Sequence, residues 1–127
     1  MEVLIMKYEE LYKDFISIFP EDSDFFEEKS RENDAEESDG MHIMFGLVVL
    51  PYIKKIIQES PEKSVKAFSF FEDMEKSGDS KIAEVLEFSI LEYLLSNEKE
   101  SIDLYAKYFG PETTEAAKSI GKWFSQK

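Results

Sequence analysis

The sequence predicts an all-α fold, a single domain of about six to seven helices packed as antiparallel hairpins, and three observations predict it. In most segments apolar residues recur at intervals of three and four, which is the spacing of one helix face. Proline and glycine divide the chain into helices of about fifteen residues joined by short turns. Only Leu47 to Leu50 has the composition of a strand, and it is too short to outweigh its helical surroundings. We therefore expect residues 1–127 to form one helical domain.

The first predicted element is an amphipathic helix from Glu2 to Phe19 that stops near Pro20. Its apolar positions are Leu4, Ile5, Tyr8, Leu11, Tyr12, Phe15, Ile16 and Phe19. Charged residues lie between these positions, as on the solvent side of a surface helix.

The acidic segment, Glu21 to Asp39, holds ten acidic residues against two basic ones. It therefore carries a net charge of −8 out of the chain's −13. Asp22 or Ser23 is expected to cap a short helix that bears two adjacent phenylalanines. Residues 31–40 contain one alanine as their only apolar side chain before Gly40, so a mobile loop is predicted there.

Two helices are predicted in the middle of the chain. The first runs from Met41 to Ser60, and Pro51 should kink it or split it in two. Its inner positions are Leu47, Leu50, Ile53, Ile56 and Ile57. The second starts at Pro61 with Ser60 as its N-cap and ends at Ser77-Gly78. Its predicted buried stripe is Val65, Phe68, Phe71 and Met74.

The segment Ser80 to Ser96 is predicted to be the central helix, capped by Asp79 or Ser80. Its apolar positions cover more than half of its circumference, so it should pack against neighbours on several sides. These positions are Ile82, Val85, Leu86, Ile90, Tyr93 and Leu94. The remaining arc carries Glu84, Glu87 and Glu92 together with Phe88, Leu91 and Leu95. That arc is either a narrow solvent edge or one wall of a binding surface.

Two further helices are predicted at the C-terminus. Asn97 and Glu100 have the spacing of a capping box. The helix that they would start carries Ile102, Leu104, Tyr105, Tyr108 and Phe109. Gly110-Pro111 ends it and opens a last helix to about Phe124, which should bury Ala117, Ile120 and Trp123 or Phe124. The pair of helices from Pro61 to Ser96 resembles one unit of a HEAT-type stack, and an irregular helical bundle is the alternative.

Composition excludes several classes of function. A net charge of −13 repels nucleic acid and anionic lipid and attracts basic protein surfaces. Without cysteine the chain has no disulfide, thiol nucleophile or thiolate metal site. Glu2 stands where a signal peptide would carry positive charge, and no charge-free run reaches the roughly 20 residues of a membrane span. A soluble, cytoplasmic protein is expected.

No motif for catalysis or cofactor binding is found. His42 is the only histidine, so a cluster of histidine metal ligands is excluded and no chemical role is expected for it. The glycines are isolated and form no phosphate-binding loop. We expect no enzyme, no metal and no cofactor. A hydrolase that uses Glu84, Glu87 and Glu92 stays the least favoured alternative, because paired acids are expected by chance in so acidic a chain.

The acidic segment is the strongest candidate for a docking surface. Acids there would accelerate the encounter with a basic partner, and aromatic side chains would supply its desolvated anchors. The candidate partner-binding residues are Asp22, Asp24, Phe25, Phe26, Glu27, Glu28, Asp34, Glu36, Glu37 and Asp39. Glu84, Glu87 and Glu92 are the second choice. The other interpretation of the segment is a solvated loop that keeps the protein soluble.

The C-terminal part, Phe71 to Phe124, resembles a family of small bacterial all-helical proteins. The resemblance lies in a Ser77-Gly78-Asp79 turn, an aromatic-rich helix, a Gly110-Pro111-Glu112-Thr113 turn and Trp123 on the last helix. Such proteins are similar to immunity proteins encoded beside polymorphic toxins, including those of contact-dependent growth inhibition. The resemblance implies a helical fold and a protective, non-catalytic role, and it transfers no binding residue.

These observations lead to two hypotheses. The first is an immunity protein that neutralises a basic toxin domain, expected to be a nuclease, by occluding its active site or substrate surface. The second is a helical adaptor for an endogenous partner. No direct nucleic-acid or membrane contact is expected in either case.

Overall fold

The computed structural model describes residues 5–125, and for residues 122–125 it describes the backbone only. Within this part the chain forms seven helices and no strand, which confirms the all-α prediction. The helices are α1 Leu11–Ser17, α2 Ser23–Glu32, α3 Met41–Glu59, α4 Pro61–Lys76, α5 at residues 80–97, α6 Ile102–Ala106 and α7 Pro111–Ser125. Single 3₁₀ turns lead into four of them, at Tyr8–Glu10, Pro20–Asp22, Glu37–Asp39 and Lys99–Ser101.

Helix α4 lies in the middle of the fold, where it contacts α3, α5 and α7. One residue separates α3 from α4, and a short turn separates α4 from α5, so these three helices form consecutive hairpins. Helix α5 also contacts α3 and α7. The prediction that it packs on several sides is therefore confirmed. Helices α1 and α2 contact α3.

The core is built around the ring of Phe15 in α1, which is fully buried. Six other aromatic rings lie with their centroids between 5.3 and 6.4 Å from it. They belong to Phe19, Phe26, Phe45, Tyr52, Phe70 and Phe71. Because these rings come from several helices, α1 is held where α2, α3 and α4 meet.

The chain passes through Pro51 without a break in α3, so of the two predicted outcomes the split is wrong. Residues Phe45–Val49 form a π-helical turn just before it, in which the Leu50 amide donates to the carbonyl of Phe45. Pro51 has no N–H to donate to the carbonyl of Leu47. The Asn33 side chain donates to that carbonyl instead, at 3.0 Å. An interaction from the acidic segment thus compensates for the missing helical hydrogen bond.

The predictions for α4 and α5 are largely confirmed. Ser60 accepts from the amide of Lys63, Asp79 accepts from that of Lys81, and Gly78 adopts a φ of 78°. The predicted apolar positions of α5 are buried except Tyr93, which is half-buried. Helix α5 also contains a π-helical turn, Glu87–Leu91, which contacts the π-helical turn of α3.

Several sequence predictions are wrong in detail. Residues 5–7 are not helical and Ile5 is exposed, while residues 2–4 of the predicted first helix lie outside the described part. Leu47 and Val65, which the sequence predicts to face the core, are exposed. The other predicted inner positions of their two helices are buried or half-buried, so each helix keeps its predicted inner face.

The C-terminal helices show a further difference. The capping box expected from Asn97 and Glu100 does not form, because Asn97 is the last residue of α5. Helix α7 begins at Pro111 as predicted, with Ala117 buried and Ile120 half-buried. The side chains of Trp123 and Phe124 lie outside the described part.

Candidate functional site

The acidic segment is folded onto the body of the protein through α2. Of its ten acidic side chains, nine are exposed, and Asp22 alone is partly buried. The exposed candidates from the sequence are Asp24, Glu27, Glu28, Asp34, Glu36, Glu37 and Asp39. These acids therefore present their charge to solvent, where it acts over a Debye length of about 8 Å at physiological salt.

Asp22 has a structural role in place of the predicted helix cap, since it makes no cap hydrogen bond. Its Oδ2 accepts from the Tyr52 hydroxyl at 2.6 Å and from the Lys63 ammonium at 2.6 Å. Burial raises the pKa of Asp22, but these two hydrogen bonds outweigh it and leave the pKa below its usual value. Burial and the neighbouring carboxylate raise the pKa of Tyr52. Asp22 thus ties the start of α2 to α3 and α4.

The structure places the two candidate aromatic anchors mainly in the core. Phe26 is 2% exposed, and its ring lies 4.6 Å from that of Tyr52. Phe25 is half-buried, with the ammonium groups of Lys29 and Lys55 at 5.7 and 6.0 Å from its ring centroid. Both side chains therefore attach α2 to the protein, and Phe26 cannot serve as a docking anchor without leaving the core.

The predicted mobile stretch, residues 31–40, has several fixed contacts. Helix α2 continues to Glu32, and Ala35 is buried. The amide of Glu36 donates to Asp39 Oδ2 at 2.8 Å as part of a capping box. Asp34 and Gly40 have positive φ values of 50° and 105°, so they supply the two sharp changes of direction. The mobility of the stretch stays a prediction.

A groove with a volume of about 530 Å³ lies between α1 and α2. Its lining residues are Tyr12, Ile16, Ser23, Phe26, Glu27, Ser30, Arg31 and Glu37. The floor is apolar, and the rim carries two acids and the chain's only arginine. Arg31 has no carboxylate within 4.0 Å among the side chains that the structure describes.

The second-choice glutamates do not form one cluster. Glu84 is exposed, whereas Glu87 and Glu92 are half-buried. Glu87 instead meets Glu75 of α4, and Glu75 Oε2 is buried without a hydrogen-bond partner among the described groups. Burial, and then Glu87, raise the pKa of Glu75 to about 8. The raised pKa means that Glu75 holds its proton to a higher pH than an exposed glutamate does.

A third carboxylate close to this pair caps α7. Glu72 accepts hydrogen bonds at 2.9 Å from the amides of Glu112 and Thr113 and from the Thr113 hydroxyl. Burial raises the pKa of Glu72, but these bonds lower it overall. An anion at a helix N-terminus is favoured by the helix dipole, so Glu72 joins α4 to α7. Glu72 and Glu75 have structural roles that the sequence analysis missed, because the contacts with α5 and α7 are long-range.

His42 and Ser89 bring α3 and α5 together. Ser89 Oγ lies 3.3 Å from His42 Nδ1 and 3.2 Å from the His42 carbonyl oxygen. Because the hydroxyl can donate to that carbonyl, the pair is suited to holding the two helices together. Among the described side chains, no carboxylate contacts His42 as the acidic member of a catalytic triad would.

Among the described residues, no group of three His, Cys, Asp or Glu side chains could hold a metal ion. Helix α3 is long and apolar enough to cross a membrane by length and composition, although half of its most apolar stretch is buried inside the protein. A core helix meets the same criteria, so this finding leaves the expected location of the protein a prediction.

The fold and these surfaces define a small all-helical domain whose most prominent exposed feature is an acidic face. The chain belongs to the family described as "Domain of unknown function (DUF7674)", whose model matches residues 12–124. No curated protein and no solved structure matches the chain significantly. The family description names no activity or partner, so the resemblance to immunity proteins stays a prediction.

Proposed function

We propose that the protein is a cytoplasmic, non-catalytic inhibitor of the immunity type, which binds a basic toxin domain encoded beside it. The observation that supports this proposal is the exposure of nine acids along residues 21–39 on a helix and turn that are attached to the core. Phe26 and Asp22 hold this helix in place. A surface ordered in advance binds with a smaller loss of conformational entropy than a free chain does.

Electrostatics explains how such a surface would act. A nuclease binds phosphates in a basic cleft, so an acidic surface of similar extent competes with the substrate for that cleft. Long-range attraction raises the association rate, while close contacts decide how slowly the complex dissociates. Inhibition then needs no chemistry from this protein.

The direct test is to mix the protein with the toxin domain encoded next to its gene and to measure binding by calorimetry and protection by co-expression. We expect a complex and loss of toxicity. Neutralising four exposed acids of the acidic segment, Glu27, Glu28, Glu36 and Glu37, to Gln should slow association about tenfold and leave dissociation nearly unchanged.

The matched control neutralises four exposed acids elsewhere, Glu62→Gln, Asp73→Asn, Glu100→Gln and Asp103→Asn. It changes the net charge by the same amount and should slow association less. Equal effects of the two variants would show that only net charge matters. The absence of a complex with the neighbouring toxin domain, or of a toxin gene beside this one, would refute the immunity function and favour the adaptor hypothesis.

A further inference from the structure

We infer that an apolar stripe on α3 and α5, formed by Ile43, Leu47 and Phe88, is the docking site for a partner segment in which apolar residues are flanked by Lys or Arg. These side chains are 42%, 38% and 54% exposed, respectively. That the partner is basic is taken from the proposed function. The inference does not depend on which toxin, if any, supplies the segment.

The three residues belong to one surface. Ile43 and Leu47 lie one turn apart on the same side of α3. The ring of His42, which precedes Ile43, stacks on that of Phe88 with a centroid distance of 6.3 Å and an interplanar angle of 22°. Ser89 also binds His42. The contact between the two helices therefore places Phe88 beside the exposed side of α3.

The local backbone explains why apolar side chains are exposed at this position. Leu47 and Phe88 lie in the π-helical turns Phe45–Val49 and Glu87–Leu91, which contact each other. A π-helical turn adds a residue to the turn and so changes which side chains face the core. Leu91, expected on the glutamate arc, is accordingly buried, while Phe88 is exposed. Such turns occur frequently at functional sites.

Acidic residues border the stripe. The Glu37–Asp39 turn contacts the first turn of α3, Met41–Met44, which contains Ile43, and its acids are exposed. Exposed Glu84 lies one turn before Phe88 on α5. Apolar anchors surrounded by negative charge are complementary to an apolar side chain with basic neighbours.

The groove between α1 and α2 is a weaker site for such a segment. Its rim carries Arg31 beside Glu27 and Glu37, so a positive charge offsets part of the negative charge there. Its apolar floor includes Phe26, which the core already uses. The other exposed large apolar residues, Ile5, Val65 and Leu104, lie on separate elements. In the stripe, exposed apolar side chains lie beside acidic residues. This combination favours the stripe over the groove as the docking site.

A labelled amphipathic peptide of about 15 residues, made of Leu and Lys at helical spacing, serves as the probe. Its binding to the whole protein is measured by fluorescence anisotropy, with a peptide of equal composition and scrambled order as control. We expect the amphipathic peptide to bind more tightly. Phe88→Ser should weaken its binding about fivefold or more. Val65→Ser, which removes an apolar side chain of similar exposure outside the stripe, should change binding less than twofold by the same reasoning.

Amide chemical-shift mapping with the same peptide locates the contact. Shifts concentrated at residues 42–47 and 84–89 would support the inference, and shifts concentrated around Tyr12 and Phe26 would overturn it. Equal effects of the Phe88 and Val65 substitutions would also overturn it. If wild-type protein dimerises in gel filtration and Phe88→Ser abolishes the dimer, the stripe binds a second copy and the inference is wrong. If circular dichroism shows that the Phe88→Ser variant is unfolded, the Leu47→Ser variant is used in its place.

The same variants separate this inference from the proposed function. If the neighbouring toxin domain does not bind but the amphipathic peptide binds at the stripe, the proposed immunity function is wrong and the docking inference is supported. If the toxin domain binds equally well to the Phe88 and Val65 variants, the stripe fails and the immunity function stands.

Discussion

Replacing Glu75 with Gln should stabilise the protein at neutral and alkaline pH. In the folded protein, burial and Glu87 raise the pKa of Glu75 to about 8, from an ordinary value of 4.5. A carboxyl group whose pKa is raised by folding contributes stability below its unfolded pKa, and that contribution is lost as the pH rises to the folded pKa. The wild-type protein should therefore lose stability between pH 4.5 and about pH 8 because of this group. Gln has nearly the same shape as Glu and does not ionise.

The size of the effect follows from the pKa difference. A change from 4.5 to about 8 corresponds to roughly 5 kcal/mol, since one pH unit is about 1.36 kcal/mol. Glu75 is partly solvated and its titration is linked to that of Glu87, so we expect about half of this, ~2 kcal/mol. At pH 8 the melting temperature of Glu75→Gln should then exceed that of the wild type by about 5–10 °C.

Urea unfolding at pH 5 and pH 8 measures this difference, with Glu84→Gln as the matched control. Glu84 is exposed on α5, and its substitution removes the same charge from a protein of net charge −13. The reasoning is refuted if Glu75→Gln is no more stable than Glu84→Gln at pH 8. It is also refuted if the advantage of Glu75→Gln is as large at pH 5 as at pH 8.

Three further substitutions test contacts between distant parts of the chain. Asn33→Ala should cost about 1 kcal/mol and speed amide exchange in residues 33–40, because it leaves the Leu47 carbonyl without its donor. A cost in urea unfolding below a few tenths of a kcal/mol would contradict this. Gly110→Ala should cost about 1–2 kcal/mol, because its new methyl group would collide with the Glu72 carboxylate that caps α7. In a Glu72→Ala background the same substitution should be nearly neutral. Asp22→Asn should cost about 1 kcal/mol at pH 7. Since folding lowers the pKa of Asp22, this cost should disappear as the pH falls below the ordinary value of 3.8, and a cost that persists at pH 2.5 would exclude the ion pair as its cause.

The sequence predicted the helices well because their signals are local. Ser60 and Pro61 start α4, Gly78 lies in the turn after it, and apolar positions over more than half of the circumference identify α5. These signals act within a few residues and do not depend on contacts with the rest of the chain. The same is true of the net charge and of its concentration in the acidic segment.

Two of the errors have the same physical origin, which is contact between residues far apart in sequence. Pro51 was expected to break a helix, but Asn33 replaces the missing hydrogen bond and a π-helical turn accommodates the ring. Phe26 was expected at a docking surface because its neighbours are acidic, but the cluster of rings around Phe15 holds it in the core. No local pattern predicts the π-helical turns of α3 and α5.

The candidate site was predicted only in part. The exposure of the acids agrees with the sequence argument, whereas the position of the apolar anchors does not. Phe88 had a signal in the sequence, since it shares an arc of α5 with Glu84, but that arc was assigned a minor role. Ile43 and Leu47 had no such signal, because an apolar helix around Pro51 appears wholly internal.

The acidic turn between α2 and α3 is attached to the protein by very few side chains. Asn33 and the buried Ala35 make the contacts with the body, and Gly40 sets the direction in which α3 begins. The acids between them face solvent and contribute little to the core. Substitutions among these acids should therefore change the charge of this surface while the fold is kept.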